Sequence, residues 1–115
     1  RTYRELKLGL MKKEGEDIPP TDKNLVRVFS DASYDELRAF ANAAMEKVGG
    51  MTVALAPAKE GYSYLIAVRE GDLSGNVREI NAALAGKGGG RGNMVMGTFR
   101  AGIETIRRYF EEENA

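Results

Sequence analysis

One run of twelve residues, Gly86-Lys-Gly-Gly-Gly-Arg-Gly-Asn-Met-Val-Met-Gly97, carries the residue types best suited to chemistry in this chain. Five of the seven residues from Gly86 to Gly92 are glycine, and the other two, Lys87 and Arg91, are cations. Glycine has no Cβ and tolerates positive φ, so its backbone can come close to a partner. Successive amide N–H groups in such a loop can converge on an anion. The two cations add a field of the same sign. These residues point to a loop for phosphate, and specifically for the phosphate backbone of a nucleic acid. Glycine-rich segments also serve as flexible connectors. Here the segment lies between a helical pattern and an apolar, strand-like run from Met94 to Phe99, which favours a binding loop.

The loop is not a nucleotide fingerprint of the Gly-x-Gly-x-x-Gly or Gly-x-x-x-x-Gly-Lys-[Ser/Thr] kind. The spacing fails for both, and both need a strand before the loop and a helix after it. Here the helix comes first. The loop then meets the partly negative, C-terminal end of the helix dipole, so Lys87 and Arg91 must supply the positive field.

Composition narrows the chemistry further. The chain of 115 residues has neither cysteine nor histidine. That removes disulfides, thiolate nucleophiles and the commonest general base. A zinc site would have only carboxylates to use, and those (Asp35-Glu36, Glu111-Glu112-Glu113) sit where helix caps and solvated helix ends are expected. No apolar run is long enough for a membrane span, and the absence of cysteine suits a cytoplasmic setting. The formal net charge is zero, with 17 basic and 17 acidic residues, so any basic footprint must be local. From Lys87 to Arg108 there are five cations (Lys87, Arg91, Arg100, Arg107, Arg108) against one anion, Glu104. Such a face fits a modest, salt-sensitive phosphate contact.

The elements that must position these residues follow from hydrophobic spacing. Residues 1–13 read as a helix with Tyr3, Leu6 and Leu10 on one stripe. It reads as the end of a longer helix, in a C-terminal fragment of a larger protein, and such a helix could join a coiled coil. Residues 14–22 form a loop around Pro19-Pro20, and Leu25–Phe29 reads as a strand. Ser33 and Glu36 have the spacing of a capping box. Leu37, Phe40, Ala41, Ala44, Met45 and Val48 then repeat as an amphipathic helix closed by Gly49-Gly50. Met51–Ala56 and Tyr62–Val68 read as a hairpin. Ser74 is placed to cap a helix carrying Val77, Ile80 and Leu84, which Gly86 ends. Met94–Phe99 is the last strand, and residues 101–113 the last helix. The centre is thus βαββαβ: an α/β (α+β) fold with a four-stranded mixed sheet packed by helices. Tyr62 and Tyr64 alternate on one strand face and could stack on bases, but strand packing is the commoner use. Met94 and Met96 read as core fillers.

The stretch Leu84 to Thr98 resembles the hallmark of the C-terminal domain of alanyl-tRNA synthetase, which also ends many stand-alone alanyl-tRNA editing proteins. A more distant relative is the second domain of DHH-type phosphoesterases. The family pattern is a Gly-Gly-Gly run, a basic or small residue, Pro, an acidic residue, Met or Phe, Ala or Val, Gln, Gly. Residues 25–110 follow the family's order of elements. Gly92, Asn93 and Met96 replace the usual Pro, acidic residue and Gln. The phosphoesterase branch typically carries His after the glycines, where this chain has Arg91.

The resemblance implies a tRNA-binding domain over residues 23–115, with residues 1–22 as the end of a linker helix and its loop. It implies alanine-specific tRNA as partner, catalytic domains elsewhere in the same parent chain, and a possible homodimer. The implied binding set is Lys87, Gly88, Gly89, Gly90, Arg91, Asn93 and Arg100. No catalytic residue and no cofactor is expected in this chain; any zinc would belong to a separate editing domain. The alternative is the substrate-binding domain of a DHH-type phosphodiesterase.

Overall fold

Ser33 and Glu36 form the capping box that their spacing predicts. The Ser33 hydroxyl accepts from the Glu36 N–H at 3.2 Å, and the Glu36 carboxylate accepts from the Ser33 N–H at 2.8 Å. This start launches a strongly amphipathic helix in a computed structural model that describes residues 2–112. In chain order the elements are α1 (Tyr3–Glu16), β1 (Leu25–Val28), α2 (Tyr34–Ala44), β2 (Thr52–Ala58), β3 (Gly61–Ala67), α3 (Asn76–Leu84), β4 (Gly86–Gly89), β5 (Met94–Phe99) and α4 (Ile103–Glu112). The radius of gyration, 13.2 Å, is that of a single compact domain.

The strands form one mixed sheet in the order β1-β2-β3-β5-β4. β1 and β2 are parallel across the α2 crossover, and the other pairs are antiparallel. Alternation sorts the side chains onto two faces. Val53, Leu55, Tyr64, Ile66, Val95 and Phe99 face α3 and α4, where Ile80, Leu84, Ile106 and Phe110 complete one core. Ala54, Ala56, Leu65 and Ala67 face α2, whose Leu37, Phe40, Ala41 and Ala44 complete the other. With both faces covered, Thr52–Ala56 is buried at every position, which is why the sequence there runs apolar without alternating.

The sheet has five strands, not four. The extra strand is β4, taken from the glycine segment read as a loop. Gly88 lies opposite Gly97. A Cβ on Gly88 would collide with the Met96 carbonyl and the Gly97 Cα, and one on Gly97 with the Lys87 carbonyl and the Gly88 Cα. The missing side chains let the two backbones close up edge to edge along the ladder. Glycine is depleted in strands, so no apolar pattern announces β4.

Other elements shift for similar local reasons. α1 runs to Glu16 rather than stopping at residue 13, because Gly15 fits under the Phe40 carbonyl and against Ala43 and Ala44 of α2. Its buried residues are Met11 and Gly15, while Tyr3, Leu6 and Leu10, the anticipated packing stripe, are 76%, 49% and 69% exposed. Ser74 does not cap α3. Its hydroxyl and N–H both go to Asp72 Oδ1, at 2.6 and 2.9 Å, and Gly75 stands at the N-cap without a side-chain bond. α3 ends on Ala85 in the left-handed region (φ 52°), one residue before Gly86. α2 gives way to a turn after Ala44, before Gly49-Gly50 is reached. Glu113 lies outside the described residues.

Two outcomes follow from this packing. Gly88→Ala or Gly97→Ala should cost about 2 kcal/mol or more of stability, whereas Gly89→Ala, with open space at its Cβ, should stay within about 0.5 kcal/mol in urea denaturation. Ser33→Ala should cost about 1 kcal/mol. The Glu36 carboxyl is held below its usual range, first by the Ser33 N–H and then by Lys7. Its contribution is therefore present above the ordinary carboxylate range and fades as pH falls through the depressed value. The stability gap between the protein and Glu36→Ala should narrow on acidification.

Candidate nucleic-acid interface

β4 is held from two sides. On one side it pairs with β5, Lys87 against Thr98 and Gly89 against Met96. On the other, the Asn81 side chain of α3 donates to the Gly88 carbonyl at 3.3 Å and accepts from the Tyr64 hydroxyl at 2.9 Å. Tyr64 is wholly buried, with its ring stacked on Phe99 at 4.0 Å between centroids. Burial pushes its phenol pKa up, and the bond to Asn81 opposes that rise. Tyr64 is therefore a core residue that carries a polar relay to the glycine strand, and Tyr62 packs against the same core.

The end of α3 is stitched into the same ladder. The left-handed Ala85 turns its carbonyl to the Arg100 N–H at 3.1 Å, and the Leu84 carbonyl accepts from the Ala101 N–H at 3.2 Å. This fixes the backbone of Arg100 beside β4. β2 and β3 are joined by only two residues, Lys59 and Glu60, since Ala58 pairs directly with Gly61. Gly61 has φ +109° and is pressed against the Phe99 carbonyl and the Arg100 Cα. The hairpin tip is thereby seated next to Arg100, and Glu60 Oε2 accepts from Arg100 Nη2 at 2.9 Å.

These three segments enclose a cleft of about 310 Å³. Its floor is small, Ala58, Ala85 and Thr98, and its rim is charged, Lys59, Lys87 and Arg100 with Glu60. Lys59 and Lys87 have no ion-pair partner among the described residues, so three cations stand against one carboxylate. Of its lining residues, Ala58 and Thr98 alternate with Ala56 and Met96 onto the α2 side of the sheet. α2 lies over β2 and β3, and at the β4 edge of that face the paired Lys87 and Thr98 are exposed. Further along the same face, Tyr34 donates to the Gly97 carbonyl at 2.7 Å, and the Arg38 guanidinium sits 3.9 Å from Met96 Sδ.

The anticipated site residues are distributed unevenly over this surface. Lys87 and Arg100 line the cleft together. Arg91 stands beyond β4, in the turn to β5, and is not among the residues that line the cleft. Gly88 and Gly97 serve the strand contact. Asn93 is committed to the fold: its side chain donates to the Val68 carbonyl at 3.0 Å, and its own carbonyl accepts from the Val68 N–H at 2.9 Å. Arg107 and Arg108 do not extend the basic face. They lie on α4 in a shallow groove of mixed sign with Glu104, Glu111 and Glu112, and Arg107 is 3.9 Å from Glu111.

Sequence reasoning missed Lys59, Glu60, Thr98 and Arg38. Lys59-Glu60-Gly61 is legible as a turn, but only the strand order β3-β5-β4 brings that turn to Lys87. No group of carboxylates among the described residues could hold a metal ion, and no helix there is long and apolar enough to cross a membrane.

Comparison with solved structures finds a similar fold in the C-Ala domain of Aquifex aeolicus alanyl-tRNA synthetase. The TM-score is 0.61 at 20% sequence identity, over 84% of this chain and 95% of that one. No protein-family model and no curated protein sequence matches the chain.

Because Asn81 alone links Tyr64 to the Gly88 carbonyl, Asn81→Ala should cost about 1–3 kcal/mol. It should also speed amide hydrogen exchange at Lys87 and Gly89 more than in β2 or β3.

Proposed function

We propose that this chain is a nucleic-acid-binding domain that holds tRNA for catalytic domains of a larger, alanyl-tRNA-synthetase-related protein, either an editing hydrolase or a synthetase. The observation that carries the reading is the cationic cleft of Lys59, Lys87 and Arg100 at the open edge of a sheet whose fold resembles the C-Ala domain. Exposed cations on small, apolar ground suit a sugar–phosphate backbone, which is recognised first through its charge. Phosphate contacts position a nucleic acid without reading its sequence. Selectivity for alanine-specific tRNA then comes from shape and from the parent chain's other domains.

In this reading the chain does no chemistry itself. With neither histidine nor cysteine, it lacks the usual general base, thiol nucleophile and zinc ligands. Deacylation, with any zinc it needs, takes place in a separate domain, and the setting is cytoplasmic. Arg91 and Arg38 extend the contact along the sheet face beyond the cleft.

The test is titration against alanine-specific tRNA at two salt concentrations, with an unrelated tRNA and single-stranded RNA as competitors. Three neutralised phosphates give a log–log slope of about −2 to −3. Lys59→Glu with Lys87→Glu should weaken binding at low salt at least tenfold and flatten the slope by about 2. Unchanged affinity and slope in that variant would place the interface elsewhere. Binding of a mononucleotide but of no tRNA would instead favour the DHH-type phosphodiesterase reading.

A further inference from the structure

A carboxylate on the rim of a phosphate-binding cleft works against it. Glu60 lies on the rim with Lys59, Lys87 and Arg100, where its charge repels the phosphate those three attract. Its backbone is nonetheless tightly set. It occupies one of only two residues at the hairpin tip. The backbone of Gly61 behind it has no room for a side chain beside the Phe99 carbonyl. Arg100 holds Oε2 at 2.9 Å and leaves Oε1 without a partner among the described residues. The cleft thus presents three cations and, on the same rim, one acceptor, all carried on a constrained backbone.

The ligand that complements this pattern carries a hydrogen-bond donor within one nucleotide of its phosphate. A ribonucleotide does so through its 2′-hydroxyl; a deoxyribonucleotide has nothing to donate there. A volume of about 310 Å³ is at the small end for ligand pockets, enough for one nucleotide unit. We propose that Glu60 is a specificity-determining residue: its free carboxylate oxygen accepts from a ribose 2′-hydroxyl while Lys59 and Lys87 take the adjacent phosphate, so that the cleft selects RNA over DNA. The inference rests on reading the cleft as a nucleic-acid site. It adds which nucleic acid is chosen and by which atom.

The competing role for Glu60 is only to orient Arg100, and the two roles separate experimentally. The probes are one RNA hairpin, its DNA counterpart and its 2′-O-methyl counterpart, which keeps RNA geometry but cannot donate. The protein should bind the RNA hairpin about fivefold more tightly than either of the others, the range expected of one net hydrogen bond in a solvent-exposed setting. Glu60→Ala should bring the three affinities within about twofold of one another, without weakening DNA binding. Glu60→Gln, which keeps an acceptor and drops the charge, should tighten binding to all three and retain part of the RNA preference. If Glu60→Ala shifts RNA and DNA by the same factor, Glu60 only positions Arg100 and the proposal fails. Equal binding of RNA and DNA by the unaltered protein overturns the proposal and leaves the nucleic-acid reading standing; salt-sensitive binding to none of the probes overturns both. Because the Glu60 side chain is 67% exposed, neither variant should disturb folding, and matching thermal unfolding curves check this.

Discussion

The close backbone contact between β4 and β5 is the constraint on which the rest of the site depends. Gly88 and Gly97 face each other where neither can carry a Cβ. A strand of glycines gives up more chain entropy on folding than any other, roughly 0.5–1 kcal/mol per residue relative to alanine. That cost is offset locally: the ladder to β5 satisfies the backbone, and the Tyr64–Asn81 relay ties the strand to α3. Without the contact Lys87 would have no fixed place, and the cleft would lose one of its walls.

The cleft is assembled from three stretches that are distant in sequence: the hairpin tip at Lys59-Glu60, the helix-to-strand junction at Ala85–Lys87, and the end of β5 at Thr98–Arg100. Each is short of freedom for its own reason. The hairpin has only two loop residues. The junction turns through a left-handed alanine whose carbonyl is bonded to Arg100. The end of β5 is paired on both edges, with β3 and β4. The charged side chains are solvated, but the backbone that carries them is not free to drift. A site with weak individual contacts can still present a defined geometry to a phosphate.

Much of this architecture is legible in the sequence. The α2 helix is announced by its capping box and its apolar spacing, and β2, β3 and β5 by their apolar runs. The C-Ala-like fold is announced by the glycine motif and the order of elements. What is hidden has a physical reason in each case. β4 has no apolar pattern because its pairing is backbone on backbone. The stripe of Tyr3, Leu6 and Leu10 suggests the wrong face of α1, because that helix packs through Gly15 and Met11, where small size and close approach replace bulk. Lys59 and Glu60 read as a plain turn, since nothing local reveals that β5 lies between β3 and β4. The glycines read as a nest for an anion, whereas the pairing register spends Gly88 on β5 and leaves Lys87 in the strand with Arg91 in the turn beyond it.

The glycine strand also ends the sheet, and this bears on how the molecule behaves among its own copies. An edge strand exposes unpaired backbone groups that can template further strands. β4 is a poor template. It is four residues long, its one large side chain is the cation of Lys87, and the carbonyl of Gly88 is already occupied by Asn81. Glycine's weak preference for extended chain gives an incoming strand little to add to. The residues that let the sheet gain a fifth strand thus also keep it from gaining a sixth, and so guard an open, sticky margin against the aggregation to which such margins are prone.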